Sequence, residues 1–179
     1  SVALTVRGKD VNTTDEKTIQ AAYKSLQKQV PLVAGYSDGA AYTMMTGNAA
    51  ALAAAYSGAA IDMMSDNPNL AFALPDEGSW RICYSYCIPS GSERKSEAEQ
   101  FINYMCSASN MAKNAVYSKY STTSDKALGK MDQAWHQNPL AYPDASILKH
   151  APLLTKLDKE TEQLHTKLFQ ELTGQSGKS

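Results

Sequence analysis

Between Glu77 and Pro89 the chain reads EGSWRICYSYCIP, with thiols at Cys83 and Cys87 and phenols at Tyr84 and Tyr86. After Glu77 the stretch contains no carboxylate and no histidine, so neither thiol has a base within it to favour the thiolate. In an extended segment Cys83 and Cys87 share a face about 13 Å apart, at ~3.3 Å per residue. A disulfide needs Cα atoms within about 7 Å, so the two do not pair with each other. Cys106, the third cysteine, can reach at most one of them. The expectation is buried, unpaired thiols that act as small hydrophobes.

Other catalytic patterns are absent. His136, His150 and His165 are scattered, and none stands four residues from another, so the sequence offers no zinc pair. There is no G-x-S-x-G elbow, no Walker loop and no Gly-rich dinucleotide fingerprint. A cysteine nucleophile served by a histidine from elsewhere in the fold stays open as an alternative, because such pairs assemble in space. The main expectation is a protein that binds rather than catalyses, with no metal and no cofactor.

Phenols and indoles positioned without a nucleophile suit a ligand surface, and the elements around them decide whether they form one. The chain has 179 residues, 43% of them hydrophobic, and a formal net charge of -1. No basic stripe marks it for nucleic acid or an anionic membrane surface. The most apolar stretch, residues 50–64, is too rich in small residues and too interrupted to span a bilayer. No charged n-region with a long apolar run opens the sequence, and the expectation is a piece of a longer protein.

Thr13, Thr14 and Asp15 can accept hydrogen bonds from the first amides of a helix. Ile19, Ala22, Tyr23, Leu26 and Val30 then follow at helical spacing until Pro31 closes the run. Residues 38–46 and 57–64 read as further helices. Residues 32–36, 49–56, 70–74 and 77–89 read as strands bounded by Gly or Pro. Ser96 with Glu99 suggests a capping box before a stripe of Ala98, Phe101, Ile102 and Met105. Residues 110–117 make another helix. Leu157, Thr161, Leu164, Leu168 and Leu172 line one face of a terminal helix, for which internal packing is favoured over a coiled-coil partner. Strands alternating with helices predict an α/β layer architecture.

Several segments occur in a telling order: NTTDEKTIQAAYKSLQKQVP (12–31), GYSDG (35–39), GNAAALAAAYSG (47–58), PDEGSW (75–80), CIPSGSERKSEAEQFINYM (87–105), the Lys119–Tyr120 pair with its polar loop, and AYPDASILK (141–149). The series resembles the C-terminal half of the spermidine/putrescine-binding proteins of bacterial ABC importers, within the extracellular solute-binding superfamily. The resemblance implies an α/β, periplasmic-binding-protein-like fold of type II, with one near-complete lobe, the crossover and part of the second lobe. It places residues 1–80 and 125–179 in the C-terminal lobe and 81–124 in the other, with solute held in the cleft between lobes. An upstream acidic pair that contacts the amine would precede Ser1.

The implied function is capture of a small organic cation of polyamine type, putrescine or spermidine, for import. The implied partners are the solute, membrane permease subunits and an N-terminal lobe on the same or a complementing chain; the location is extracytoplasmic, in the periplasm or lipid-anchored. Site residues carried over are Ser37, Asp38, Tyr56, Trp80, Ile82, Tyr84 and Tyr120. Ile82 and Tyr84 stand where the family strand carries Trp and Asp. Tyr84 therefore offers a ring and a phenol in place of a carboxylate, which keeps open a less cationic solute on the same fold. Each residue also has a plainer role: core packing for Tyr56 and Tyr84, core or rim for Trp80, a helix cap for Asp38. Arg81, on the face opposite Tyr84, is expected to be solvated or salt-bridged.

Overall fold

The computed structural model describes residues 1–36 and 38–176. Helices dominate them. In chain order these are α1 (Val2–Val6), α2 (Glu16–Gln29), a 3-10 turn (Val30–Leu32), α3 (Asp38–Thr46), α4 (Ser57–Asp66), α5 (Lys95–Met105), α6 (Ala108–Ser118), α7 (Asp125–Leu128), α8 (Gln133–His136), α9 (Ala145–Lys149) and α10 (Lys159–Ser176). The anticipated helices are present, each within a few residues of its expected bounds.

The anticipated strands are not. Residues 32–36, 49–56, 70–74 and 77–89 contain no β-ladder among the described residues; one isolated parallel bridge joins Arg81 to Leu153. There the Arg81 amide donates to the Pro152 carbonyl (2.9 Å) and the Leu154 amide to the Arg81 carbonyl (2.8 Å). Alternation and apolar runs make a segment extended, but a strand exists only where a neighbour accepts its bonds. Residues 152–154 are the neighbour that residue 81 finds.

Two compact units share the chain. The first comprises residues 1–55, 73–83 and 145–179; the second comprises residues 56–72 and 84–144. This partition differs from the expected lobe limits at 80/81 and 124/125. Residues 56–72 join the second unit because Tyr120 packs on Gly58. Residues 125–144 join it through Tyr142, whose phenol oxygen accepts from the Thr122 amide at 3.2 Å.

The first unit is built on α2 and α10. Asp15 caps α2, its carboxylate accepting from the Thr18 amide at 2.8 Å; the Thr18 hydroxyl first, and then this amide, hold the Asp15 pKa below its ordinary value. Ile19, Tyr23, Leu168 and Leu172 form the buried cluster between the two helices, with Leu26, Val30, Tyr36 and Leu164 against it. The leucine stripe of α10 is therefore spent on α2 within this unit. Ala3, Leu4 and Ala22 make a second cluster where α1 meets α2. Gly78 turns the chain with φ of 108°, a region that L side chains rarely adopt, and a Cβ there would sit 3.1 Å from the His150 carbonyl oxygen.

A cavity of about 140 Å³ lies in the α1, α2 and α10 cluster, lined in part by Leu4, Tyr23, His165 and Phe169. The His165 Nε2 is buried there without a hydrogen-bond partner. Burial, and secondarily the Ser1 ammonium, pushes the His165 pKa below its ordinary value. As pH falls through the unfolded imidazole's value of about 6.5, the unfolded state takes up a proton that the folded state resists, and stability is lost. Thermal unfolding at pH 7.5 and pH 5 is expected to show a larger drop in midpoint for the native protein than for His165→Leu. Equal drops would show that His165 titrates alike in both states.

In the second unit alanines permit close approach: Ala112 and Ala115 on α6 and Ala127 on α7 are buried, Ala127 completely. The Ser124 hydroxyl caps α7 by accepting from the Ala127 amide. The capping box expected at Ser96 and Glu99 does not form. Ser96 is already the second residue of α5, whose Arg94 N-cap makes no side-chain bond. Glu99 instead lies 3.8 Å from Lys95, one turn earlier. Phe101, expected in the packed stripe, is 56% exposed and meets Tyr86 edge-on with ring centroids 6.3 Å apart. Cys83, Cys87 and Cys106 are all exposed, so the expectation of buried thiols fails.

Candidate solute site on the second unit

α4 starts without a side-chain cap: its N-cap residue, Tyr56, makes no side-chain hydrogen bond at the terminus. The first amides of a helix lack intrahelical acceptors. One of them, on Ala59, lies close enough to the Tyr120 phenol to favour its ionised form. Tyr120 reaches this place because α6 ends at Lys119, whose φ of 63° is left-handed and turns the chain sharply. The strained cap is steadied by the Lys119 ammonium, 6.0 Å from the centroid of the Trp135 ring.

Close approach of Tyr120 requires a glycine. A Cβ added at Gly58 would lie 2.6, 2.7 and 2.8 Å from the ring atoms Cζ, Cε2 and Cε1. Carbon atoms normally meet at about 3.5–4.0 Å, so the ring occupies the space that any larger residue would need. The Tyr120 pKa is raised, first by burial of the phenol and then by the neighbouring charges of Tyr84, Tyr56 and Asp62; the Ala59 amide acts in the opposite sense. Tyr56, Tyr84, Tyr120 and Asp62 are thus electrostatic neighbours within one unit. Tyr84 is 78% exposed and Tyr56 45%, so the core-packing role does not hold for either.

The other expected site residues are placed differently. Trp80 and Ile82 are half-buried and belong to the first unit. Arg81 is exposed, and its Nε donates to the Ala151 carbonyl at 2.7 Å. It thus serves the bridge to residues 152–154 rather than a salt bridge. Ser37 and the side chain of Asp38 lie outside the described residues. The sequence reading missed Gly58 and Asp62. Their spacing of four within a helix was the available signal, since such residues share a face.

No group of three or more His, Cys, Asp or Glu among the described residues could hold a metal ion. Among the described residues no helix is long and apolar enough to cross a membrane. The unit offers phenol faces, a solvated carboxylate and backbone amides, a set suited to holding a polar organic solute.

That is the equipment of a solute-binding protein, and comparison with known proteins places the chain in that class. The family profile described as bacterial extracellular solute-binding protein matches residues 2–143, and the chain belongs to this family. It is similar to the spermidine/putrescine-binding periplasmic protein 1 of Haemophilus influenzae, 27% identical over 84% of this chain and 42% of that protein. The spermidine/putrescine-binding periplasmic protein of Escherichia coli is 30% identical over 83% of this chain and 43% of its own length. The chain therefore spans less than half the length of these curated relatives.

Solved structures agree on the fold. A Listeria monocytogenes protein provisionally described as a spermidine/putrescine ABC transporter gives a TM-score of 0.85 at 28% identity, covering 96% of this chain and 53% of the other. The spermidine/putrescine ABC transporter substrate-binding protein of Streptococcus pneumoniae gives 0.75 at 24% identity, covering 98% and 54%. The fold is part of a periplasmic-binding-protein-like architecture of type II.

Proposed function

We propose that this chain is part of the substrate-binding component of an ABC importer that captures a small organic cation of polyamine type, such as putrescine or spermidine. Capture takes place outside the cytoplasmic membrane, and the loaded protein delivers the solute to permease subunits. No catalytic step is assigned to it.

The observation that carries this reading is the grouping of Tyr56, Tyr84 and Tyr120 at the start of α4. These are residues to which the family resemblance assigns solute contact. Aromatic faces attract an ammonium by about 0.5–2 kcal/mol each, according to how dry the site is. Their apolar bodies also pack against the methylene segments of a polyamine. The relatives named above, spermidine/putrescine-binding proteins, support the same choice of solute.

Thermal unfolding of the protein as its gene encodes it, in the presence of candidate solutes, tests the reading. A solute at 100 times its dissociation constant adds about 2.7 kcal/mol of stability. Putrescine and spermidine are expected to raise the midpoint, and neutral or zwitterionic amino acids to leave it in place. Stabilisation by the amino acids, with none by either polyamine, would replace this function by capture of a less cationic solute.

A further inference from the structure

Tyr56, Tyr84 and Tyr120, the expected site residues of the second unit, carry no carboxylate among them. A desolvated ammonium held by ring faces alone leaves its N–H donors unsatisfied and its charge uncompensated. A carboxylate stands nearby on α4. Gly58 and Asp62 are four residues apart on this helix and share a face. The Tyr120 ring covers Gly58, so Asp62 is the next side chain along the same face.

Asp62 is exposed. Among the described residues no lysine or arginine forms an ion pair with Asp62. Its charge nevertheless reaches the Tyr120 phenol, where it adds to burial in keeping the proton on. A protonated phenol beside an ionised carboxylate provides one acceptor with full negative charge and an uncharged aromatic surface next to it.

We propose that Asp62 is the carboxylate that receives a primary ammonium of the solute, beside Tyr120 on the exposed face of α4. This rests on the solute-binding function above and assigns the group that makes it selective. A primary ammonium can donate a charge-assisted hydrogen bond to Asp62 while a methylene chain lies across the rings. A quaternary ammonium such as choline satisfies the rings but has no N–H for the carboxylate. Asp62 thereby favours primary amines over quaternary ones.

Calorimetric titration of putrescine, spermidine and choline into the protein as its gene encodes it separates the two claims. Asp62→Asn is expected to weaken both polyamines about tenfold or more, equivalent to about 1.4 kcal/mol. Asp62→Glu should retain affinity within a few-fold. The native protein's polyamine affinity should also fall more steeply with added salt than that of Asp62→Asn, since a charge pair is screened. Because Asp62 is exposed, the unfolding midpoint of the free protein should not move. If the native protein binds polyamines and Asp62→Asn binds them equally well, the role of Asp62 is wrong and the function stands. If the native protein binds neither polyamine, the function itself falls, and this inference with it.

Discussion

Gly58→Ala is expected to weaken solute binding about tenfold, and Gly58→Val to weaken it further, while the protein remains folded. A new Cβ would come within 2.6 Å of the Tyr120 ring, so the ring must retreat by about 1 Å to regain an ordinary carbon contact. That shift carries the phenol away from the Ala59 amide and out of register with Tyr56 and Tyr84. Helix propensity pulls the other way, since Ala within a helix is favoured over Gly by about 1 kcal/mol. Stability and affinity should therefore part company: a midpoint near the native one with a marked loss in calorimetric affinity. Gly91 supplies the control, since nothing lies within 4 Å of a Cβ placed there, and Gly91→Ala should leave binding intact. Native affinity in Gly58→Ala would mean that the position of Tyr120 does not matter to the solute.

The second large effect concerns the first unit. Leu172→Ala is expected to cost about 3 kcal/mol of stability, within the range of about 2–5 kcal/mol for truncating a buried leucine. Leu172 is 2% exposed and packs with Ile19, Tyr23 and Leu168. Leu172 also lines the existing cavity of about 140 Å³, so its truncation enlarges a space already present. The two tryptophans give a local readout, because Trp80 lies in the first unit and Trp135 in the second. In a Trp135→Phe background, urea unfolding followed by Trp80 fluorescence reports the unit that holds Leu172. A loss below about 1 kcal/mol would show that α10 is not what holds α2 in place.

Helices were legible where a cap and a period coincide. Asp15 followed by Ile19, Ala22, Tyr23 and Leu26 specifies both the start of α2 and its buried side. The leucine row of α10 was readable for the same reason, and the structure supplies its partner. Ser96 misled because a serine three residues before a glutamate fits a capping box, yet an earlier turn at Ser92 has already started α5, its hydroxyl accepting from the Arg94 amide. The strands misled more broadly. Extended geometry is a local property, whereas ladder formation depends on what lies alongside, and among the described residues the β-bridge is the isolated one from Arg81 to Leu153.

For the site, the family resemblance put forward Tyr56, Tyr84 and Tyr120 and marked Tyr84 as standing where the family has a carboxylate; the structure makes the three electrostatic neighbours. Sequence alone also determined the helix positions and the family resemblance, since caps, periodicity and ordered motifs are written within short windows. Only the tertiary structure decided that Tyr120 lies on Gly58, that Asp62 is its charged neighbour and that residues 56–72 belong with 84–144. The physical reason is separation along the chain. Gly58 and Tyr120 meet through a left-handed turn at Lys119 and a helix start with an amide to spare, and neither condition leaves a trace in local composition.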